Sequence, residues 1–310
     1  MIDIAEYDIF DYDYSKYWEN RRYENLAEKN VLNKIFLKKA GYWFLDIGGS
    51  YGRLTSTYYE SYNKPIILDY SLKTLIKNKE YIKAKYPGVE LVAANAYKMP
   101  FKKDTFDGAL MVRVIHHIEK PDTYFKELNR IMKNGSSYIQ EFPNKIHIKA
   151  VLRSLLKLNF DLFKEDPYLQ PKATGSEGSK KQYDHIFYNY HPKHISRLLK
   201  KNNFKILKKY GCSYLRSPLI KKILGEDVML FAEKILQSTL SWTNIPPSIF
   251  LDTKITKKGK KGEIPHNLTS VLACPSCKGN LLFKREDLAI CEKCSKEFHK
   301  KEEIWDFRVN

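Results

Sequence analysis

Residues 45–53 read Leu45-Asp46-Ile47-Gly48-Gly49-Ser50-Tyr51-Gly52-Arg53, and further on the run Pro65-Ile66-Ile67-Leu68 ends in Asp69. A short apolar strand over Tyr42–Ile47 runs into a turn with little side-chain bulk, which leads into a helix. Residues without a Cβ let a ligand approach the backbone closely. A glycine-rich turn alone is often just a tight turn. The acid closing the second strand changes the reading, because a carboxylate there can take two hydrogen bonds from ribose hydroxyls. Gly48 and Gly52 paired with Asp69 therefore point to a nucleoside site. A helix-cap or turn role is the plainer alternative for Asp69.

Outward from this stretch the chain alternates strands and helices. Ser71 can cap a helix with Leu72, Leu75 and Ile76 on its apolar face. Val89–Ala93 and Phe106–Val112 read as strands three and four. Pro121 suits the first position of a helix that turns Phe125, Leu128, Ile131 and Met132 inward and closes at Asn134-Gly135. Ser137–Phe142 is a fifth strand. After Pro143 the alternation lapses, then returns with helix Pro192–Lys201, strand Phe204–Tyr210, helical material over 219–240 and strand Ser248–Ile255. Upstream lie an acidic, Tyr-rich lead-in and a helix around Tyr17–Lys39. Strands alternating with helices mean βαβ units, so the fold class is α/β, a doubly wound and mostly parallel sheet.

The 310 residues, 43% hydrophobic, suffice for one large core or a core with a satellite module. No apolar run approaches the ~18–20 residues that span a bilayer. Met1-Ile2-Asp3-Ile4-Ala5-Glu6 lacks the basic start of a secretory signal, which gives a cytoplasmic protein as the expectation. The net charge of +18 is concentrated: residues 145–222 carry 18 basic and 5 acidic side chains, a net of +13. That segment would attract a polyanion or an anionic surface. The excess is mostly Lys, which binds phosphate less specifically than Arg. Within it, Tyr183, Phe187, Tyr188 and Tyr190 interleave with His185 and His191, as a base-stacking surface or as packed core. The Ile146–Leu158 stripe with Lys149, Arg153 and Lys157 reads equally as an ordinary packed helix or as a basic amphipathic helix at a membrane surface.

Four of the five cysteines form two knuckles, Cys274-Pro-Ser-Cys277 and Cys291-Glu-Lys-Cys294. This spacing puts four thiolates on one tetrahedral zinc, with no open position, so the metal would be structural and the segment a small zinc ribbon. His299 is an alternative ligand. The remaining Cys212 is better explained as a small core residue than as a nucleophile.

The chain resembles the class I S-adenosylmethionine-dependent methyltransferases, closest to the group that includes quinone-biosynthesis C-methyltransferases. The Asp-x-Gly-x-Gly-x-Gly motif of the family falls on Asp46, Gly48, Ser50 and Gly52, with Ser50 in place of the middle glycine. Its acid after strand two falls on Asp69. Its Gly-Asp-Ala-x-x-Leu-Pro-Phe stretch looks like Ala94-Asn95-Ala96-Tyr97-Lys98-Met99-Pro100-Phe101, and its strand-four signature like Phe106-Asp107 with His116-His117-Ile118. The resemblance implies a seven-stranded sheet with a helical cover. It implies that Asp46 and Gly48 hold the methionine end of the cofactor and Asp69 the ribose, that Asn95 and Ala96 face the adenine, and that Gly49, Ser50 and Gly52 complete the cofactor-binding set. A catalytic base is not legible; His116, His117 and Arg113 are the candidates. The cysteine segment resembles the zinc-ribbon activators that partner RNA and protein methyltransferases, here in cis; a stability or dimerisation module, or a protein-binding one, is the alternative.

The expected organisation is a helical lead-in at 1–40, a methyltransferase domain at 41–256 with an acceptor-side insertion at 143–190, a basic linker at 257–269 and the ribbon at 270–310. The acceptor stays open between RNA and a small or lipophilic metabolite. A non-catalytic cofactor- or RNA-binding protein is the third reading, motivated by Ser50 and Asn95.

Overall fold

The computed structural model describes residues 14–169, 187–258 and 265–309. The lead-in before Tyr14, the stretch Lys172–Lys181, Tyr183, His185 and linker residues 259–264 lie outside them. The central strands are β1 (Gly41–Ile47), β2 (Tyr62–Asp69), β3 (Glu90–Ala94), β4 (Phe106–Met111) and β5 (Met132–Pro143), ordered 3-2-1-4-5 and all parallel. The last five residues of β1 are buried without alternation, as in a strand covered on both faces. A short hairpin of β6 (Tyr168–Leu169) and β7 (Tyr188–Asn189) stands apart. Strand β9 (Ser248–Ile255) then inserts antiparallel between β5 and β8 (Phe204–Cys212), completing seven strands.

Helices α1 (Tyr14–Glu19) and α2 (Arg22–Phe36) precede the sheet, so the single helix expected around 17–39 breaks at Arg21. Helix α3 (Leu72–Lys85) starts as read, with the Ser71 hydroxyl accepting from the Thr74 amide at 3.1 Å. Helix α4 (Pro121–Ile131) ends earlier than expected. Met132 is already extended and pairs with Phe106, so Asn134-Gly135 lies inside β5 rather than closing the helix. Helices α5 (Ile148–Leu156), α6 (Pro192–Lys201), α7 (Pro218–Leu224) and α8 (Glu226–Thr239) follow, then the single turn α9 (Leu268–Val271).

No helix follows β1 where the glycine turn was expected to open one. Two 3-10 turns, Thr55–Thr57 and Tyr59–Ser61, lead straight into β2. Hydrogen bonds spaced three residues apart carry the segment: Gly52 N to Gly49 O, Thr55 N to Gly52 O and Thr57 N to Leu54 O. The β-branched threonines are poor helix formers, and the tight path buries Tyr58 against Phe44 with ring centroids 4.4 Å apart.

The cysteine segment does not stand apart from the sheet. Its strands β10 (Leu281–Arg285), β11 (Leu288–Cys291), β12 (Glu297–Lys301) and β13 (Ile304–Phe307) are antiparallel to one another. Strand β13 then pairs in parallel with β3, Trp305 opposite Val92 and Phe307 opposite Ala94, extending seven strands to eleven. Trp305, Phe307, Cys274 and Cys291 belong to the same apolar core as Trp43 and Leu45. The junction is also tied by Ala273 N to Pro100 O at 2.9 Å, Lys102 N to Val271 O at 2.9 Å and the Trp43 indole to Pro265 O at 2.8 Å. Without a partner, β3 would be an exposed edge; the ribbon covers it.

Candidate cofactor cleft and cysteine cluster

The C-terminal ends of β1, β2 and β3 converge on one crevice, the place where open parallel sheets bind ligands. The glycine turn is pinned to β2 by Gly48 N to Leu68 O at 2.7 Å. Gly48 has φ +73°, and a Cβ there would lie 2.3 Å from a Val114 methyl, so only glycine lets the turn pass the loop after β4. A Cβ on Gly49 would meet the Asp46 carboxyl at 2.9 Å, and Gly52 has φ +74°.

Ser50 adopts φ +50°, a left-handed conformation that glycine takes more easily. Its hydroxyl is buried and without a hydrogen-bond partner. Its amide donates to Asp69 Oδ2 at 2.9 Å, while Ser71 N donates to Asp69 Oδ1 at 2.9 Å. The turn-residue reading of Asp69 is therefore realised. The two amides fix the direction of the carboxylate.

Asp46 is buried and accepts from the Tyr58 hydroxyl at 2.8 Å. Burial pushes its carboxyl up to about 7, against the Tyr58 hydrogen bond and the nearby Arg53, which favour the charged form. A cationic ligand beside it would favour the carboxylate. Asn95 is buried; its Oδ1 accepts from Tyr97 N at 2.9 Å, and its Nδ2 donates to Val309 O at 3.2 Å. Half-buried Ala96 follows it. The chain beyond β13 thus reaches the end of β3, where Arg308 also lies 5.9 Å from the Tyr70 ring.

The candidates beyond β4 are less available. His116 is buried and stacked on Phe187, centroids 4.1 Å apart, with the His117 ring at 4.1 Å on another side. Burial, then His117 and Arg113, hold its imidazole well below the ordinary histidine range, so it is neutral and a weak base. Arg113, with φ +62°, spends its guanidinium on Glu28 of α2 and its amide on Glu141 Oε2 at 2.8 Å. A permanently protonated arginine cannot be a base. Arg53 reaches the other Glu28 oxygen at 2.7 Å, and Trp18 covers both arginines, 3.7 Å from Arg53 and 5.5 Å from Arg113.

Glu28, Tyr58 and Val309 were not singled out from the sequence. Glu28 left a trace, since it precedes Leu32 and Ile35 on the apolar stripe of its helix, where a charge needs a partner. Of the aromatics offered as a stacking surface, Tyr190 is core: it is buried and donates to Ile118 O at 2.9 Å. His191 caps α6 through Lys193 N.

The four knuckle cysteines bring their sulfurs within 4.8 Å of one another. Cys274 and Cys294 are 3.7 Å apart and Cys277 and Cys291 3.4 Å apart, close to the ~3.8 Å edge of a tetrahedron with Zn–S of about 2.3 Å. His299 is outside this cluster, exposed on β12 and 3.8 Å from Glu297.

The sheet order and the crevice at the strand ends give the chain a Rossmann-like methyltransferase fold. Residues 45–139 match the family described as a methyltransferase domain, so the chain contains a methyltransferase domain, and its C-terminal cysteine cluster fits a zinc ribbon. It is 29% identical over 205 residues to an uncharacterized protein of Methanocaldococcus jannaschii, covering 64% of this chain and 75% of the relative. It is 27% identical over 125 residues to the demethylmenaquinone methyltransferase of Lysinibacillus sphaericus, covering 37% of this chain and 53% of the relative. Among solved structures, an S-adenosylmethionine-dependent methyltransferase from Thermotoga maritima shares the fold at TM-score 0.53 and 16% identity, over 81% of this chain and 98% of that one. A chain from the complex between the Trm112 methyltransferase activator and a methyltransferase of Haloferax volcanii does so at 0.54 and 10%, over 84% and 100%. Among the described residues, no helix is long and apolar enough to cross a membrane.

Proposed function

We propose that the crevice at the ends of β1–β3 holds S-adenosylmethionine and that the chain methylates a lipophilic acceptor presented from the 143–190 side. When bound, the cofactor supplies an electrophilic methyl group and its own leaving group. Asp46, with Tyr58 behind it, faces the methionine end and favours its ammonium. The Gly48–Gly52 turn gives backbone access and the unpartnered Ser50 hydroxyl a polar contact. Asp69, aimed by Ser50 N and Ser71 N, takes the ribose hydroxyls. Asn95 and Ala96 border the adenine.

No base is assigned. His116 is neutral under Phe187 and Arg113 is committed to Glu28, so positioning carries the step. The acceptor reading is carried by one observation: 18 of the 21 large hydrophobic side chains exposed among the described residues lie between Ile148 and Ile245. RNA remains the competing reading through the +13 charge of residues 145–222. The buried Tyr190 and the His116-stacked Phe187 leave fewer free rings for bases, which weighs against it.

The four thiolates are proposed to hold a structural zinc, since four protein ligands leave no site for a substrate. The test of the acceptor is transfer from methyl-labelled cofactor into a cell extract. Label in the organic-soluble fraction is expected; label confined to RNA or protein overturns the lipophilic reading.

A further inference from the structure

Three helices of the 145–245 region carry their apolar faces outward. On α5, Ile148, Leu152 and Leu155 recur at helical spacing and all are exposed, Leu152 by 53%, while only Ser154 is buried. On α7, Leu219 and Ile223 are exposed. On α8 the usual polarity is inverted. Met229, Glu233 and Gln237 face inward, where Glu233 takes the Tyr23 hydroxyl at 2.5 Å and Gln237 the Asn30 amide at 2.5 Å, while Val228, Phe231 and Ile235 face out. The start of α5 is tied to the segments that flank the other two: Ile148 N donates to Ile245 O at 3.0 Å, in the loop after α8, and the Lys149 ammonium to Arg216 O at 2.7 Å, just before α7.

We infer that this apolar cap docks on the surface of an anionic lipid bilayer. Exposed aliphatic side chains in such numbers mark an interaction site rather than ordinary surface. Their charged neighbours choose the occupant. Arg153 on α5, Lys157 just beyond it and Lys222 on α7 neighbour the aliphatic side chains in sequence, in a segment of net +13, while Lys149 and Lys221 are held by Arg216 O and Glu226. Long lysine stems lie along an apolar face while their ammonium groups reach phosphates, as amphipathic helices do at headgroup level. A second copy of the same face would bring like charges together. A nucleic acid would match the charge but leave the leucines, Phe231 and Trp242 without an apolar partner. The docking rests on and deepens the proposed lipophilic acceptor, since a bilayer is where such an acceptor resides and α5 belongs to the acceptor-side insertion.

The test is co-sedimentation of the full chain with phosphatidylcholine vesicles and with vesicles of phosphatidylcholine and phosphatidylglycerol, at low and at high salt. Binding is expected to the anionic vesicles, weaker at high salt, and to fall roughly tenfold or more in Leu152→Glu/Leu155→Glu. Both positions are exposed, so the variant should keep the wild-type melting temperature, and Phe231→Glu serves as a second variant on another helix. Absence of vesicle binding, equal binding by both variants, or self-association that the variants abolish while lipid has no effect would each overturn it. Docking without methylation of any organic-soluble compound leaves the surface assignment standing and removes only the acceptor reading.

Discussion

Asn95 at the end of β3 donates its side-chain amide to the backbone oxygen of Val309, across 3.2 Å, so the segment that follows the cysteine knuckles closes on the proposed adenine side. The family carries an acid at this position in the resemblance drawn from sequence, and an ionised carboxylate cannot donate. The departure at Asn95 thus has a structural reason: the amide serves the ribbon while its oxygen orders Tyr97.

Asn95→Asp should therefore place a carboxylate against the Val309 carbonyl. A loss of about 1 kcal/mol of stability is expected from the missing hydrogen bond, more if the charge stays buried. Chemical denaturation of the variant measures it; an unchanged or raised stability would show that the contact with Val309 contributes nothing.

Removing the proposed metal should be felt in the cleft. Cys277→Ser/Cys291→Ser, or chelation, is expected to loosen β13 from β3 and weaken cofactor binding several-fold, because Phe307 and Val309 border Ala94 and Asn95. Calorimetric titration with S-adenosylhomocysteine before and after zinc removal checks this. Loss of metal with unchanged affinity would confine the metal's role to the ribbon.

The buried Asp46 makes the apo-protein and its ligand affinity respond to pH in opposite directions. Its carboxyl is raised to about 7, above the ~3.9 of an unfolded chain. Between those values the folded state holds a proton that the unfolded state has released, so this group's stabilising contribution, full at low pH, is lost as pH rises toward 7. Affinity for the cationic cofactor should improve over the same rise, by up to about tenfold per pH unit below 7. Asp46→Asn should flatten both profiles.

Glu28 is the single carboxylate shared by Arg53 and Arg113. Burial disfavours its charge, but Arg113 and then Arg53 outweigh that and hold its pKa below the ordinary glutamate value. The pair therefore stabilises above the unfolded glutamate pKa and is lost as pH falls through the lower folded value. Glu28→Ala leaves two arginines unpaired under Trp18 and should cost about 3–5 kcal/mol. Its unfolding midpoint, compared with that of an exposed control such as Glu80→Ala, reads the difference.

Much of the parallel sheet was legible because the strands of a covered sheet announce themselves as apolar runs, and because Pro121, Pro192 and Ser71 mark helix starts by chemistry local to the chain. The turn and the crevice were legible where a backbone requirement meets a side-chain chemistry, as at Gly48 and Asp69. What failed was decided by tertiary contact. Nothing near Gly52 says that Tyr58 will be drawn inward to Asp46, and that insertion replaces the expected helix with 3-10 turns. The pairing of β13 with β3 joins residues more than two hundred positions apart, beyond any local signal. The stripe on α5 was visible as a stripe; that it faces outward depends on what the rest of the fold leaves uncovered.

The most direct test of the cofactor cleft is calorimetric titration of S-adenosylmethionine into the wild-type chain and into Asp69→Ala. The account predicts saturable one-to-one binding by the wild type and an affinity lower by about tenfold or more in the variant, since a charge-assisted bond to a ribose hydroxyl contributes about 1.5–3 kcal/mol. Equal binding by both proteins, or none by the wild type, would contradict it.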